Sequence, residues 1–381
     1  MQTGKVQYLE GLRGIAAMQV VLLHFVTGFL PEAAQHAWAP LHVLFDGHTA
    51  VYVFFLISGA VLTPSFARPG PLVAKAVKRV VRLGIPVAAA AVIATLLLAV
   101  WPDAHTQAAT LTGSTWLAMD SSGSPTLAHL AREIGLDSLV LGYREATLFA
   151  PLAAHLPPME LSLDAPFWSL HLELYGSLLV LFLVWLRAHS IWLHSAAIVA
   201  AAGLFGAHPM FLFVLGHISQ PTAASGSGRA LLGSLLLLLG VALCASQNWT
   251  IVDTLRIWLG PIQVLAPPNL FQLQSQLGAL ALYFGVLLCH RVWPLLECGP
   301  CRRLGRLSFS IYLLHFPILF TLGCLIFVNA PTVVPHGTSV AIVFILLIGI
   351  TLLAALLFER WIDRPAIALS RRAGAIRLRT A

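Results

Sequence analysis

The sequence predicts an all-α polytopic membrane bundle of about ten spanning helices, with both termini on the cytoplasmic side. Hydrophobic residues make up 58% of its 381 positions and charged residues only 10%, too few charges to cover a soluble surface of that size. The apolar residues gather into runs of the length that a hydrocarbon core of ~30 Å demands, roughly 20 residues of helix. The basic residues crowd into alternate connections between those runs, as they do in cytoplasmic loops.

Taken in chain order and closed at Pro, Gly or charged clusters, the runs cover about 14–31, 50–66, 83–101, 167–186, 191–207, 208–219, 230–246, 277–290, 307–328 and 338–358. The first follows a lysine and an arginine and precedes Ala33 and Ala34, much as a secretory signal would. It reads instead as a retained span: it exceeds the usual signal core, Glu10 stands before it, and it holds a histidine. The sixth run is too short to cross upright and is expected to be a broken helix or a segment packed inside the bundle. Residues 102–166 mix Ser, Thr, Gly and Pro with scattered apolar positions. That stretch is too short for a second domain, so residues 1–381 read as a single membrane domain in which it covers the outer mouth.

With the N-terminus inside, nineteen of the 22 Lys and Arg residues fall on the cytoplasmic side, leaving Arg132, Arg144 and Arg256 outside. The net charge of +7 is thus divided among loops rather than gathered on one soluble face. This argues against nucleic acid and for anionic lipid or an anionic cofactor as its partner. The five cysteines lack the even, close spacing of a disulfide framework.

An ionisable side chain in the hydrocarbon costs a few kcal/mol, so each one is a functional candidate. Arg13 and His24 are eleven residues apart. At about 100° and ~1.5 Å per residue they fall within roughly 20° of one azimuth, separated by a rise of ~16 Å. Arg13 at the cytoplasmic edge therefore shares a helix face with His24 near the midplane. Lys75, Lys78, Arg79 and Arg82 recur at helical spacing and form a basic stripe before the third span. The stripe suits an anchor on anionic lipid or a phosphate site, because the guanidinium fork matches phosphate oxygens. Glu173, inside the fourth span, must be paired or protonated. It serves either as a packing lock with an Arg or Tyr or in catalysis. Ser58 lies beside Gly59 where a span can kink, and Tyr312 and His315 sit together in "YLLHFP" as candidates for a substrate pocket. "CGPC" at 298–301 has redox spacing, but no βαβ pattern surrounds it and zinc would need two more ligands. It reads as incidental, and no metal is expected.

Five strings occur in order: "YLEGLRGIAAMQVVLLHF" at 8–25, "VFFLISG" at 53–59, "KRVVRLGIP" at 78–86, "FWSLHLE" at 167–173 and "LGRLSFSIYLLHFPI" at 304–318. Together they resemble the membrane-bound acyltransferase-3 family over about residues 8–370. Its members add acetyl or longer acyl groups to surface polysaccharides, lipopolysaccharide O-antigen, peptidoglycan or small secreted molecules. The resemblance places the family's reaction-centre pair on Arg13 and His24 and its acyl-CoA-binding Arg-x-x-Arg on Arg79 and Arg82, with Lys78 beside them. Ser58, Glu173 and His315 match further recurring positions. This chain departs from the family in two places: Glu10 replaces the usual Asp, and Tyr52 stands where relatives often carry an acid. A carboxylate partner for His24 would then have to come from Glu10, Asp46 or Glu173.

The resemblance implies an O-acyltransferase of the bacterial cytoplasmic membrane. It would move an acyl group, acetyl as the expected one, from cytoplasmic acyl-CoA to a hydroxyl of a cell-envelope glycan on the outer side. A small secreted acceptor is the close variant, and both a His24 general base and an acyl-histidine intermediate remain open. A transporter or flippase would also explain intramembrane charge, but it predicts internal repeats, which the sequence lacks.

Overall fold

The computed structural model describes residues 6–36, 39–119, 125–219, 227–245, 250–259, 273–330 and 336–373. Lys5, Arg377 and Arg379 lie outside the described residues, as does the side chain of Arg256. All regular structure among the described residues is helical. The principal helices are α1 (Gln7–Phe29), α2 (Gly47–Phe66), α3 (Leu72–Val100), α4 (Trp168–His189), α5 (Ile191–Phe205), α6 (Met210–Ile218), α7 (Ser227–Ala245), α8 (Leu273–Leu288), α9 (Gly299–Ile318), α10 (His336–Phe358) and α11 (Arg364–Ala373). A π-helical turn at Leu319–Gly323 carries α9 on towards Val328, and another at Glu359–Asp363 joins α10 to α11.

Each of the ten predicted runs holds a helix, but not all ten are built to cross. Seven helical stretches are long and apolar enough, and α8 with the following His290–Leu296, bent by 83°, makes an eighth. The 15 residues of α5 and the 9 of α6 reach only ~22 and ~14 Å. The short sixth run is thus a segment packed inside the bundle. Leu212, Phe213 and Val214 of α6 are buried, and a Cβ on its Gly216 would lie 2.1 Å from the Leu56 carbonyl oxygen of α2.

Small residues also fix the central pair, α1 against α9. A Cβ on Gly14 would fall 2.5 Å from the Gly305 nitrogen, and one on Gly305 would fall 1.9 Å from the Glu10 carbonyl oxygen. Only hydrogen fits there, and the close approach turns the Arg13 and His24 face of α1 onto its neighbours. The outer helices present leucine and isoleucine instead: Leu231, Leu235 and Leu238 of α7 and Ile345, Leu353 and Leu357 of α10 are exposed, as lipid-facing residues are.

The bundle has two unlike ends. One holds the starts of α1, α3 and α9, with Arg302 Nη1 donating to Gln7 at 3.1 Å and Arg306 and Arg364 both paired with Glu359, at 3.8 and 2.8 Å. At the other end lies the stretch between α3 and α4, which packs on the bundle: Ser114 Oγ donates to the Thr27 carbonyl of α1 at 2.7 Å. That stretch has a polar core of its own. Tyr143 donates to Glu133, and the Leu163 N–H donates to the other Glu133 oxygen at 3.2 Å.

Candidate active site

His24 sits on α1 where α9 crosses it. Its Nδ1 lies 2.9 Å from Nε2 of His315, although 291 residues separate the two in sequence. The two rings are nearly parallel, with planes 13° apart and centroids 5.1 Å apart, and Trp116 from the 102–166 stretch stacks on His24 at 5.2 Å. The tautomers follow from the chain of contacts. His315 Nδ1 lies 3.1 Å from the Ile311 carbonyl and 2.8 Å from that of Tyr312, and a carbonyl can only accept. His315 therefore carries its hydrogen on Nδ1, and its Nε2 accepts. His24 must then donate from Nδ1, which leaves its Nε2 as a lone pair with no hydrogen bond among the described residues. His315, a candidate for a substrate pocket by sequence, lies behind His24, hydrogen-bonded to it and outside the cavity lining.

His24 lines a cavity of about 360 Å³. Its walls include Trp116, Tyr312, Phe316 and Trp168, and it is polar at His48 and Glu160. Tyr312, one turn before His315, donates to the Pro166 carbonyl at 2.8 Å and meets Ser169 Oγ at 2.7 Å, which pins the start of α4 to α9. His48 lies within electrostatic range of His24 and of Asp46. Asp46 caps α2 through the N–H and hydroxyl of Thr49, at 2.9 and 2.6 Å. No carboxylate of the three considered touches His24 directly: its hydrogen-bond partner is an imidazole.

Glu173 is occupied elsewhere. It forms a short ion pair with Arg79 and accepts from Ser58 Oγ at 2.9 Å. These contacts tie α4 to α3 and α2 through Glu173, Arg79 and Ser58. The basic stripe divides accordingly. Arg79 lies about 100° around the helix from Lys78; it is buried, while Lys78 and Arg82 are exposed. Arg13 bridges the two centres. It lies within electrostatic range of Glu173 and Arg82, and its guanidinium stands 6.0 Å from the Phe54 ring, whose other neighbour is Tyr312 at 6.1 Å. Its buried Nε has no hydrogen-bond partner among the described residues.

Sequence reasoning missed His48, Trp116 and Asp164. His48 stands in "DGHT", where an N-cap signal places it at the first turn of α2. Trp116 lies in a stretch without periodicity and carried no signal. Asp164 is fully buried beside the cavity wall at Ala165 and Pro166, with neither carboxyl oxygen bonded among the described residues. Burial, and then the neighbouring Glu133, push its pKa well above the usual carboxylate range.

The chain is thus a multi-pass helical bundle in which a hydrogen-bonded histidine pair borders a cavity. The chain belongs to the acyltransferase-3 family: the family model, described as an acyltransferase domain, matches residues 6–360. It is a membrane acyltransferase. Comparisons with curated proteins and with solved structures return no match.

Proposed function

We propose that this acyltransferase moves an acyl group, acetyl first among candidates, from cytoplasmic acyl-CoA to a hydroxyl of an exported or cell-envelope polysaccharide. It acts in the bacterial cytoplasmic membrane with both termini inside. The observation that carries the reading is the hydrogen-bond chain from the Ile311 and Tyr312 carbonyls through His315 to His24, ending in a free imidazole nitrogen at a cavity.

The donor approaches from the basic end. Arg82 and Lys78, exposed, take its phosphates, while Arg79 forms the inner wall against Glu173. The pantetheine arm passes Arg13 and Phe54 and brings the thioester to His24, a rise of ~16 Å along α1. The acceptor enters from the end covered by residues 102–166. His24 Nε2 takes the proton of the acceptor hydroxyl as its oxygen attacks the thioester carbonyl. The tetrahedral intermediate then collapses, the C–S bond breaks, and the imidazolium returns the proton to the CoA thiolate. His315 keeps the reacting nitrogen unprotonated beforehand, as the orienting member of a catalytic triad does.

The experiment is transfer of labelled acetyl from acetyl-CoA to a polysaccharide acceptor by the purified protein in lipid nanodiscs. Arg82→Ala with Lys78→Ala is expected to raise KM for acetyl-CoA by about tenfold or more, from the loss of two charge-assisted contacts. An unchanged KM returns the stripe to lipid anchoring, and absence of any acetyl-CoA-dependent product overturns the donor assignment.

A further inference from the structure

The CGPC sequence, set aside for want of a supporting fold, has a different setting in three dimensions. Cys298 is the N-cap of α9, with φ −60° and ψ 155°, and its carbonyl accepts the Arg302 N–H at 3.1 Å. Gly299 and Pro300 fill the first two helical positions, and Pro there surrenders no intrahelical bond. Cys301 takes the third position, where its backbone N–H and its thiol both interact with the Cys298 sulfur. At ~1.5 Å of rise and ~100° per residue on a Cα cylinder of ~2.3 Å radius, Cα atoms three apart in a helical turn are about 5 Å from each other, within the Cα separation of ~4.4–6.8 Å that a disulfide spans. Both thiols are partly exposed, whereas Cys244, Cys289 and Cys324 are buried.

We propose that Cys298 and Cys301 form a redox-active dithiol that is reversibly oxidised to an intramolecular disulfide by thiol–disulfide exchange with a small-molecule or protein disulfide. The Cys298 thiolate attacks one sulfur of the incoming disulfide, forming a mixed disulfide and releasing one thiolate. Cys301, giving up its proton, then attacks the Cys298 sulfur and releases the second. Two electrons pass from the pair to the oxidant, and the two protons leave with the two thiol products.

Two further features suit the pair to this chemistry. The Cys301 N–H and side chain, and then the charge of Arg302, lower the Cys298 thiol pKa, which makes it the attacking member. Among the described residues no group of three or more metal-ligating side chains gathers anywhere, so the two sulfurs have no further ligands to complete a zinc site. The pair is also joined to the reaction centre. A Cβ on Gly14, next to Arg13, would lie 2.9 Å from the Cys301 carbonyl oxygen, and the same helix carries Tyr312 and His315.

The test equilibrates the full chain in nanodiscs with glutathione buffers from fully reduced to fully oxidised, then counts free thiols with a mass-tagged maleimide. The expected result is one transition in which two thiols disappear together, absent from both Cys298→Ser and Cys301→Ser. Serine is itself a good N-cap, so the first variant keeps the helix start. In the reduced protein, Cys298 alkylates about tenfold faster than Cys301 at neutral pH. Two thiols reactive at every buffer ratio overturn the proposal, as does a transition that survives in Cys301→Ser.

Discussion

Replacing His315 with alanine removes the acceptor for the His24 Nδ1–H and leaves that donor buried between Trp116 and Phe316. An unmade buried hydrogen bond costs about 1–3 kcal/mol. If that cost falls on the reactive arrangement of His24, acyl transfer slows by roughly 5- to 150-fold. A complete change of tautomer, which puts the hydrogen on the reacting nitrogen, sets the upper bound at ~10⁴-fold, the loss seen when a triad base is misprotonated. The loss belongs in kcat with KM for the donor unchanged, because His315 lies behind His24 rather than on the donor path. The amide oxygen of His315→Gln can accept from His24 Nδ1–H, so glutamine recovers a good part of the rate. The assay is initial-rate acyl transfer in nanodiscs, with thermal unfolding of each variant measured alongside. His315→Ala at the wild-type rate refutes the relay, and so does His315→Gln no better than alanine in a protein of wild-type stability.

Two further outcomes concern the scaffold. Burial raises the Glu133 pKa from 4.5 to about 7 against the hydrogen bonds of Tyr143 and Leu163, with Asp137 adding to the rise and Arg132 opposing it. The folded chain holds this proton more tightly than the unfolded one, so its stabilising effect is full below pH 4.5 and is lost as pH rises to about 7. At about 1.36 kcal/mol per pH unit the loss is about 3 kcal/mol. The midpoint of thermal unfolding should fall over this range more steeply in wild type than in Glu133→Gln, and parallel slopes contradict the assignment. Gly305→Ala drives a methyl into the Glu10 carbonyl, 1.9 Å away, and separates α1 from α9. It should lower stability by about 1–3 kcal/mol, as overpacking does, and reduce transfer by displacing His24 from His315; wild-type melting and activity would show that the two helices part without consequence.

What the sequence made legible was local. The shared face of Arg13 and His24 follows from helical periodicity alone and survives because α1 runs unbroken from Gln7 to Phe29. Length and apolarity mark the helices, and the shortness of the sixth run marks it as unable to cross, but the fifth run, read as a span, holds a helix of only 15 residues. Partnerships between distant helices were not legible. Nothing near His24 in sequence announces His315, because the pairing depends on how Gly14 and Gly305 let two backbones touch. The stripe on α3 looked uniform because periodicity groups residues within a 100° sector, yet burial divides that sector between Arg79 and its neighbours. Trp116 was invisible for another reason: its stretch has no repeat, and only tertiary folding carries it over His24.

If the free nitrogen of His24 takes the acceptor's proton, its loss is read in pre-steady-state transfer by the His24→Gln variant. Glutamine keeps a donor for His315 but has no basic nitrogen. The variant is expected to bind acetyl-CoA and melt as wild type does, with the single-turnover rate to the acceptor lowered by at least ~10²-fold, the low end of what a general base contributes. Single-turnover transfer at the wild-type rate would contradict it.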